Sequence, residues 1–345
     1  MFDQARRFTR PIGFLGAVTL AALSPALWSP ALAQEPTFAG KNVTMIIGFG
    51  AGGGYDAWGR AIARHIGKHL PGKPNVVPQN MPGGGSFTAA NHIYAVAPKD
   101  GSVLGIIARD APLGPLSGMT GARFDPLKIT WIGTPTIETN VCFAHKRAKV
   151  QNFEDLLKHE LIIGNTGAGT GTYTYPRGLN GLLGTKFKLV SGFKVSTDVL
   201  LAIERGEVDG LCESWDSANG KRPEFFKNGT FKVLFQAGPH VEAEIKAPSI
   251  FSLAKTPEQK QALEYLYAGQ GIGRPFVAPP ELPAARVKML RDAFAATMKD
   301  PEFRADAKKT KLDVNPTDGA GLEALIKRIY ATPKHLVAQV AALIK

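Results

Sequence analysis

Cysteine is scarce in this sequence: only Cys142 and Cys212 occur among 345 residues. Two thiols cannot supply the three or four ligands of a thiolate zinc site, and they cannot hold together a small disulfide scaffold. They could form one disulfide or lie as two free thiols in separate strands, and their spacing does not decide between these arrangements. After residue 33, no apolar run approaches the roughly 18 residues that a membrane-spanning helix needs.

Complete catalytic motifs are also missing. The sequence has no Gly-x-Ser-x-Gly elbow, no Walker phosphate loop and no His-Glu-x-x-His zinc motif. Ser191-x-x-Lys194 resembles a serine–lysine hydrolase element, but the companion motifs of that element are absent. His65 and His69 lie one helical turn apart, yet no carboxylate has an obvious place beside them, so a solvated helix face is the better interpretation. We therefore expect no enzyme, no metal site and no cofactor.

Acidic residues are outnumbered 29 to 41 by lysine and arginine, which gives a formal net charge of +12. Basic and acidic residues alternate along predicted helices, as in residues 286–311, and this pattern is typical of a solvated face. We expect a general field that attracts small anions and no nucleic-acid partner. The length and the 44% hydrophobic content predict a folded chain of about two domains.

The first 33 residues have the three parts of an export signal. Arg6, Arg7 and Arg10 form a positive region, residues 12–23 form an apolar stretch, and residues 31–33 are a small-x-small cleavage site. A hydrophobic first helix of the fold is the weaker alternative. Removal of this segment takes away three arginines and one aspartate, which lowers the net charge to +10. We expect the mature chain to lie outside the cytoplasm.

Glycine is abundant, at 38 residues, and it concentrates where predicted strands end. Each glycine-rich turn leads from an apolar strand into a predicted helix, a pattern that indicates α/β units with mostly parallel sheets. A second such unit begins near Val141, and the last 90 residues predict mainly helices, among them residues 301–309 and 319–330. Near the start of the mature chain, Asp56 is well placed to cap a predicted helix at residues 57–70. The strand and turn pairs are residues 41–49 with 50–56, 75–80 with 82–86, and 161–165 with 166–172.

These turns predict a binding cleft. Ligands of open α/β sheets bind beyond the carboxyl ends of strands, and helix N-termini there attract anions. One such turn could be an ordinary tight connection, but three in two units favour a cleft that faces both domains. Gly48-x-Gly50-x-x-Gly53 fits the dinucleotide fingerprint, yet the next predicted strand ends at Gln79-Asn80 without the acidic residue that binds the ribose. NAD binding is therefore not favoured.

Taken together, the motifs resemble one known family. The sequences FGAGGGYD at 49–56, QNMPGGGS at 79–86 and GAGTGTY at 167–173 are similar to loops of the substrate-binding proteins of tripartite tricarboxylate transporters, the TctC-like or Bug family. Further along, ERGEVDG at 204–210 and RPFVAPP at 274–280 fit the same order. The resemblance covers nearly all of the mature chain.

This resemblance implies an α/β architecture, the type II periplasmic-binding-protein fold, with two lobes, a hinge of two crossings and a ligand cleft between the lobes. Residues 34–134 with 238–345 would form the first lobe and residues 135–237 the second. It implies a monomeric periplasmic protein that captures a small carboxylate, such as a dicarboxylic acid, and delivers it to the permease subunits of the transporter. Two alternatives stay open: a secreted α/β hydrolase-like enzyme that uses Ser191 or Ser86, and a ligand-loaded partner of a sensor receptor.

The resemblance further implies that backbone N–H groups, hydroxyls and ordered waters hold the ligand, without a dedicated arginine clamp. Arg109 would bind a second carboxylate of the ligand or lie at the protein surface. Tyr55, Tyr173 and Trp215 would contact the distal end of the ligand or simply pack within the protein. Tyr55 stands where many members carry a small hydroxyl residue, and Val195 restricts the backbone approach in its loop. The implied binding residues are Ala51, Gly52, Gly53, Tyr55, Asp56, Gly84, Ser86, Arg109, Gly169, Thr170, Gly171, Thr172, Tyr173, Ser196 and Trp215.

Overall fold

The computed structural model describes residues 37–344, so the predicted export signal lies outside the described residues. The strands in this range are β1 (Asn42–Ile47), β2 (Asn75–Asn80), β3 (Val103–Ile106), β4 (Thr130–Thr134), β5 (Asn140–His145), β6 (Leu161–Gly164), β7 (Phe187–Val190), β8 (Gly210–Ser214), β9 (Phe231–Ala237), β10 (Phe276–Ala278) and β11 (Thr317–Asp318). The helices are α1 (Gly54–Ile66), α2 (Phe87–Ala95), α3 (Leu113–Leu116), α4 (Phe153–Leu156), α5 (Gly171–Leu183), α6 (Ser196–Arg205), α7 (Trp215–Lys221), α8 (Pro223–Lys227), α9 (Pro257–Leu266), α10 (Ala284–Lys299), α11 (Pro301–Lys309), α12 (Gly319–Tyr330) and α13 (Lys334–Ile344).

These strands form two sheets. The first has the order β11-β4-β10-β3-β1-β2, and the second has the order β7-β6-β8-β5-β9. In the first sheet β1 runs parallel to β2 and β3, whereas β10 runs antiparallel to β3 and β4. In the second sheet β6 runs parallel to β7 and β8, whereas β5 runs antiparallel to β8 and β9. The prediction of an α/β fold is confirmed, but the sheets are mixed rather than mostly parallel.

The antiparallel strands have a simple topological origin. The first chain connection between the sheets, residues 135–139, joins β4 directly to β5. The returning chain enters the first sheet as β10, between β3 and β4. The strands that receive these two passages, β5 and β10, are the ones that run antiparallel to both of their neighbours.

Strand β1 shows why the first sheet forms. Val43, Met45 and Ile47 are fully buried, as is expected of a strand that helices cover on both faces. On α1, which packs on β1 and β2, Trp58 and Ile62 bury the apolar face. Gly59 permits this close approach, because a Cβ at that position would lie 2.7 Å from the side chain of Ile47.

Helix α5, which follows β6, is covered by helices from the end of the chain. Both α9 and α13 pack on it. Gly178 of α5 makes room for them, since a Cβ there would lie within 3 Å of Leu266 on α9 and 3.4 Å from Ile344 on α13. By contrast, α12 packs on β4 of the first sheet. The residue bounds of the two predicted lobes stay a prediction.

Helices in the second half match the sequence pattern closely. Predicted helices at 301–309 and 319–330 coincide with α11 and α12. In the first half, α1 begins at Gly54, three residues before its predicted start. Asp56 lies inside the first turn and does not cap the helix, and its carboxylate accepts a hydrogen bond from the preceding Gly52 N–H. Among residues 37–344, none of the helices combines the length and apolarity required to cross a membrane.

Cys142 and Cys212 form a disulfide. They stand directly opposite each other in the antiparallel register of β5 and β8, with their Cα atoms 4.0 Å apart. Both side chains are buried. Of the two arrangements left open by the sequence, the structure has the bonded one.

Candidate functional site

A cavity lies between the two sheets, where loops from both meet. Its wall includes residues that follow β1, β3 and β6, together with the first residues of α1, α5 and α6. The space between atoms is about 560 Å³, including the open mouth. This is the position at which open α/β sheets bind ligands, beyond the carboxyl ends of their parallel strands.

Three helix N-termini face this cavity without a side-chain cap. The N-cap residues of α1, α5 and α6 are Gly53, Thr170 and Val195, and none of their side chains accepts a hydrogen bond from the first turn. Elsewhere, Asp300 caps α11 and Asp318 caps α12 with their carboxylates. The Asp110 carboxylate accepts the Gly171 N–H at the start of α5, so α1 and α6 are the helices that present free first-turn N–H donors and a partial positive charge to the cavity.

Hydroxyl groups cluster at the start of α5. The Oγ1 of Thr172 lies 3.0 Å from that of Thr166 and 2.8 Å from that of Thr170. The Thr166 N–H also donates to Thr172 Oγ1 over 2.9 Å. All three threonines line the cavity. This cluster holds the glycine-rich loop in place and adds polar side chains to the cavity wall.

Two arginines and a glutamate form a buried ionic group at the back of the cavity. Arg109, which follows β3, and Arg274, which precedes β10, both pair with the fully buried side chain of Glu138. The Arg274 Nε lies 2.5 Å from Glu138 Oε1. Burial would raise the pKa of Glu138, but the two guanidinium groups hold it below its usual value. Both arginines also line the cavity, so their guanidinium groups contribute positive charge to its wall.

Tyr55 is held between an aromatic ring and a cation. Its ring stacks on that of Phe49 at a centroid distance of 4.3 Å. The guanidinium carbon of Arg274 lies over the Tyr55 ring, 4.2 Å from its centroid. The Tyr55 hydroxyl accepts a 2.9 Å hydrogen bond from the Arg109 N–H. Tyr55 thus fixes both arginines while forming part of the cavity wall.

Asp110 occupies part of the N-terminus of α5. Its carboxylate accepts a 2.6 Å hydrogen bond from the Tyr175 hydroxyl and another from the Gly171 N–H. Gln270 donates to Tyr175 over 2.6 Å and accepts from Arg109 over 2.7 Å, which closes the network. Burial raises the pKa of Asp110 to about 6, although Arg109 and the two hydrogen bonds oppose the shift.

The second sheet contributes Glu213 and Asn140 to the cavity wall. Glu213 is 6% exposed and Asn140 is 2% exposed. No donor from the described part of the chain reaches Glu213 Oε1 or Asn140 Oδ1. The other oxygen of Glu213 lies 3.4 Å from the Nζ of Lys221, which in turn donates to Ser196 Oγ over 2.8 Å.

The two sides of the cavity touch at its mouth. Thr197, on the first turn of α6, donates from its hydroxyl to the carbonyl of Gly52 over 2.9 Å. Val195 packs against the glycine loop before α1, where a Cβ at Gly53 would lie 3.5 Å from its side chain. At another point, Gly85 approaches the Ala168 carbonyl so closely that a Cβ there would lie 2.2 Å from it. The structure is therefore a closed arrangement of the cleft.

The structure brings seven of the predicted binding residues together on this cavity and places eight outside its wall. Those on the wall are Gly53, Tyr55, Arg109, Thr170, Gly171, Thr172 and Ser196. Those outside it are Ala51, Gly52, Asp56, Gly84, Ser86, Gly169, Tyr173 and Trp215. Arg109 is 5% exposed, so it is not a surface arginine.

Several residues outside the wall have structural partners instead. The buried carboxylate of Asp56 accepts from the Gly52 N–H, Arg60 and Asn80 and so braces the first glycine loop. Burial would raise the pKa of Asp56, but these hydrogen bonds hold it below its usual value. Ser86 is 1% exposed and accepts a hydrogen bond from the Ala108 N–H. The loop at 82–86 thus supports the cavity from behind.

Tyr173 and Trp215, which were expected at the distal end of the ligand, contact other residues instead of lining the cavity. Tyr173 lies beneath the guanidinium of Arg177, at 6.0 Å. Trp215 donates from its indole N–H to Glu244 and packs on the ring of Phe226. Of the three predicted aromatic residues, Tyr55 is the one that the structure places on the cavity.

Sequence reasoning missed Glu138, Arg274, Asn140 and Glu213. Arg274 belongs to the RPFVAPP segment that was noticed for its resemblance, but nothing in that segment marks its side chain as buried. Glu138 lies in the connection at 135–139, where a single acidic residue would normally indicate a solvent-exposed loop. Only the tertiary structure places these charges together.

The enzyme motifs find no support in the geometry. The Ser191 hydroxyl is hydrogen-bonded to the side-chain amide of Asn165, and Ser86 Oγ is bound to a backbone amide as described above. Neither serine lines the cavity. In the part of the chain that the structure describes, we find neither a histidine nor a lysine hydrogen-bonded to either hydroxyl.

The two histidines on α1 have carboxylate partners after all. His65 Nε2 lies 3.0 Å from Asp306, and His69 Nε2 lies 2.7 Å from Asp300. Both aspartates belong to α11 or its cap, which packs on α1. The expectation that no carboxylate stands beside these histidines is wrong, because α11 is distant in sequence. Residues 37–344 nevertheless hold no cluster of three or more histidine, cysteine, aspartate or glutamate side chains suited to a metal ion.

Comparison of the sequence with known proteins gives a distant relative that spans most of the chain. No protein-family model matches the chain. A curated relative, the "UPF0065 protein in gbd 5'region" of Cupriavidus necator, is 25% identical over 324 residues, which span 91% of this chain and 90% of that protein.

Solved structures are similar over most of the chain. The periplasmic binding protein BugD superposes with a TM-score of 0.67 and 20% identity, covering 88% of this chain and 96% of its own. MatC (Rpa3494) from Rhodopseudomonas palustris, solved with bound malate, superposes with a TM-score of 0.69 and 19% identity, covering 86% and 98% of the two chains. The resemblance in the sequence is thus confirmed: this chain has the two-lobed α/β fold of the TctC-like and Bug periplasmic solute-binding proteins.

Proposed function

We propose that this protein is a member of the TctC-like or Bug family and that its cavity captures a small carboxylate. The observation that supports this most is the convergence of the uncapped N-termini of α1 and α6 on one cavity, with Arg109 and Arg274 in its wall. Such termini are ready-made anion sites. The backbone N–H of Gly53 and the hydroxyls of Thr172 and Ser196 would hold the ligand, since the Gly171 N–H already donates to Asp110.

A dicarboxylic or related organic acid fits the charges best. One carboxylate would lie at the N-termini of α1 and α6, whose N-cap residues provide no side-chain cap. A second would approach Arg109 and Arg274, which lie in the cavity wall and are held in place by Glu138. MatC, which has the same fold, was solved with the dicarboxylate malate. This supports a ligand of the same class here.

Capture would proceed by closure of the cleft. The ligand enters the open form and binds the α1 side first, through the N–H groups of the glycine loop. Closure then brings α5 and α6 onto the ligand and forms the contact between Thr197 and Gly52. Because the closed form offers donors from both sheets, the ligand binds it more tightly and shifts the population toward it.

The cellular role follows from this mechanism. Residues 1–33 would export the chain to the periplasm, where the protein acts as a monomer. The closed, loaded form would dock on the permease subunits of a tripartite tricarboxylate transporter and release its ligand there. No particular observation favours the enzyme or the sensor-receptor alternative over this role.

Calorimetric titration tests the binding step. The purified mature chain should bind at least one small mono- or dicarboxylic acid from a panel that also contains neutral sugars, and it should return that acid chemically unchanged. Binding only to neutral sugars, or to no member of the panel, would contradict the carboxylate proposal. Turnover of the bound acid would favour an enzyme.

Replacement of Gly53 tests the location of the site. Its φ is −90° and a Cβ would make ordinary contacts, so Gly53→Leu is compatible with the fold but fills the cavity. We expect affinity to fall at least tenfold while the melting temperature changes little. Gly220→Leu is the matched control, because a Cβ at Gly220 meets no atom within 4 Å and the residue is not on the cavity wall. Equal affinities in the two variants would place the site elsewhere.

A further inference from the structure

The first turn of α7 lies where the two sheets meet. Ser217 Oγ accepts a 3.1 Å hydrogen bond from Arg274, which precedes β10 of the first sheet. The same oxygen lies against α1, since a Cβ at Gly54 would be 2.2 Å from it. Both contacts join α7, which follows β8 of the second sheet, to the first-sheet side of the cleft. The neighbouring residue Asp216 therefore stands at a boundary that forms when the cleft closes.

Asp216 is surrounded there by charge of its own sign. The carboxylates that act on it are those of Glu138 in the connection at 135–139, Asp313 in the loop between α11 and β11, and Glu242 after β9. The cation that acts on it is Arg274, which already pairs with Glu138. Asp313 lies on the side of the first sheet and Asp216 on the side of the second. Closure thus brings two like charges toward each other.

The other charged residues around α7 are paired or of mixed sign. Lys221, at the far end of α7, lies 3.4 Å from Glu213 of β8. Helix α8, which also packs on α7, has one charge of each sign in Glu224 and Lys227. Within residues 37–344, no donor is hydrogen-bonded to the Asp216 carboxylate. Ionisation of this group in the closed form is therefore opposed by its neighbours and is not relieved by a hydrogen bond.

The proton affinity of Asp216 depends on this closed arrangement. Burial and like charge together raise its pKa to about 7 from an ordinary value of 3.8, against the effect of Arg274. Opening would separate α7 from α1 and from the loop of Asp313, and water would then reach the carboxylate. Its pKa would fall back toward the ordinary value. Between about pH 4 and pH 7, the closed form thus holds a proton that the open form has lost.

We propose that Asp216 couples the motion of the cleft to pH, so that closure takes up a proton at this carboxylate and opening releases it. This inference rests on the cleft closure of the proposed function and adds a regulator to it. The proton favours the closed form fully below about pH 4, and this preference is lost as the pH rises to about 7. Capture is therefore favoured in acidic surroundings, and release is favoured at neutral pH and above.

Pulsed electron paramagnetic resonance on the unliganded mature chain measures the balance of the two forms. Nitroxide labels at Val77→Cys on β2 and Leu201→Cys on α6 would occupy exposed positions on the two sides of the cleft, outside the cavity wall. The two native cysteines are bonded to each other and take no label. We expect two label separations, one for the closed form described above and one for the open form. The ratio of the closed to the open population should fall at least tenfold from pH 5 to pH 8. A single separation at every pH, or a constant ratio, would overturn this inference.

Asp216→Asn in the labelled chain assigns the effect to this residue. The neutral amide has the shape of the protonated acid, so at pH 8 this variant should keep a closed-to-open ratio at least fivefold above that of the labelled parent. Asp110, whose pKa burial also raises, is present in both proteins and cancels in the comparison. The matched control Asp292→Asn changes an exposed carboxylate that pairs with Lys288, and its ratios should follow those of the parent.

Equal pH dependence in Asp216→Asn and Asp292→Asn would overturn the assignment. The measurement needs no ligand, so its outcome is separate from that of the calorimetric panel. Failure of every acid in that panel to bind would count against carboxylate capture alone, whereas a pH-independent balance in a protein that binds an acid would count against the proton coupling alone.

Discussion

Arg274 donates to Glu138 over 2.5 Å, and these two residues lie on different chain connections between the sheets. Glu138 belongs to the outgoing connection at 135–139, and Arg274 precedes β10 on the returning one. The pair therefore ties the two connections together at the back of the cavity. A rotation that opens the cleft would pivot close to this pair, which suits it to hold the hinge while the mouth moves.

Substitution of Glu138 with glutamine should destabilise the protein strongly. It removes the carboxylate with which the buried Arg109 and Arg274 both pair, and breaking a buried ionic group by removing one partner costs about 3–5 kcal/mol. Urea unfolding at pH 7.5 measures the change. Glu207→Gln, which breaks an exposed pair, should cost less than about 1 kcal/mol. A Glu138 variant as stable as the Glu207 variant would contradict the view that this pair holds the hinge.

Asp216 should make the stability fall as the pH rises. Burial raises its pKa to about 7 from an ordinary value of 3.8, and the charges of Glu138, Asp313 and Glu242 add to the effect of burial against that of Arg274. Between about pH 4 and pH 7 the folded chain therefore holds a proton that the unfolded chain has lost. Its stabilising contribution is complete below pH 4 and is lost as the pH rises through 7.

The variant Asp216→Asn removes this titration. Relative to the unmodified protein, it should gain stability as the pH rises from 4 to 7, and the gain should level off above 7. Denaturant unfolding at pH 4, 5, 6, 7 and 8 measures the difference in free energy of unfolding. A difference that is constant across this range would disprove the assignment. Asp110, whose pKa is raised to about 6, contributes with the same sign in both proteins and cancels in the comparison.

Loss of the disulfide should lower stability without weakening binding. Cys142 and Cys212 are 70 residues apart in sequence, and the chain-entropy model assigns a loop of that size about 4 kcal/mol. Neither cysteine lines the cavity. We expect the Cys142→Ala/Cys212→Ala variant to melt at a lower temperature, to be insensitive to reductant and to bind its acid with little change. If reductant cleaves the bond in the unmodified protein yet leaves its melting temperature unchanged, the stabilising role is refuted.

Local patterns predicted the elements but not their pairing. Residues 301–309 and 319–330 have clear helical periodicity, and α11 and α12 have those bounds. The short strands β10 and β11, of three and two residues, have no pattern of their own: β10 pairs with β3 and β4 on either side of it, and β11 pairs with β4. Their antiparallel direction follows from the route of the chain, which no local signal encodes.

The same limit applies to the site. The loops at 50–56 and 166–172 were found because glycine is needed where a backbone approaches a ligand. Glu138 and Glu213 were missed because an isolated acidic residue is usually solvated, and their burial depends on partners more than 100 residues away or on the neighbouring strand. Trp215 was expected at the ligand, but its indole N–H found Glu244 instead.

The packing of α13 has a consequence for how the motion could be observed. This last helix follows α12 on the first sheet after a connection of only three residues, yet it lies on α5 and α9. Opening of the cleft would therefore move α13 together with α5, relative to α12 and the first sheet. A fluorophore on α13 and another on α10 would report each opening and closing event as a change in their separation, without any label near the cavity.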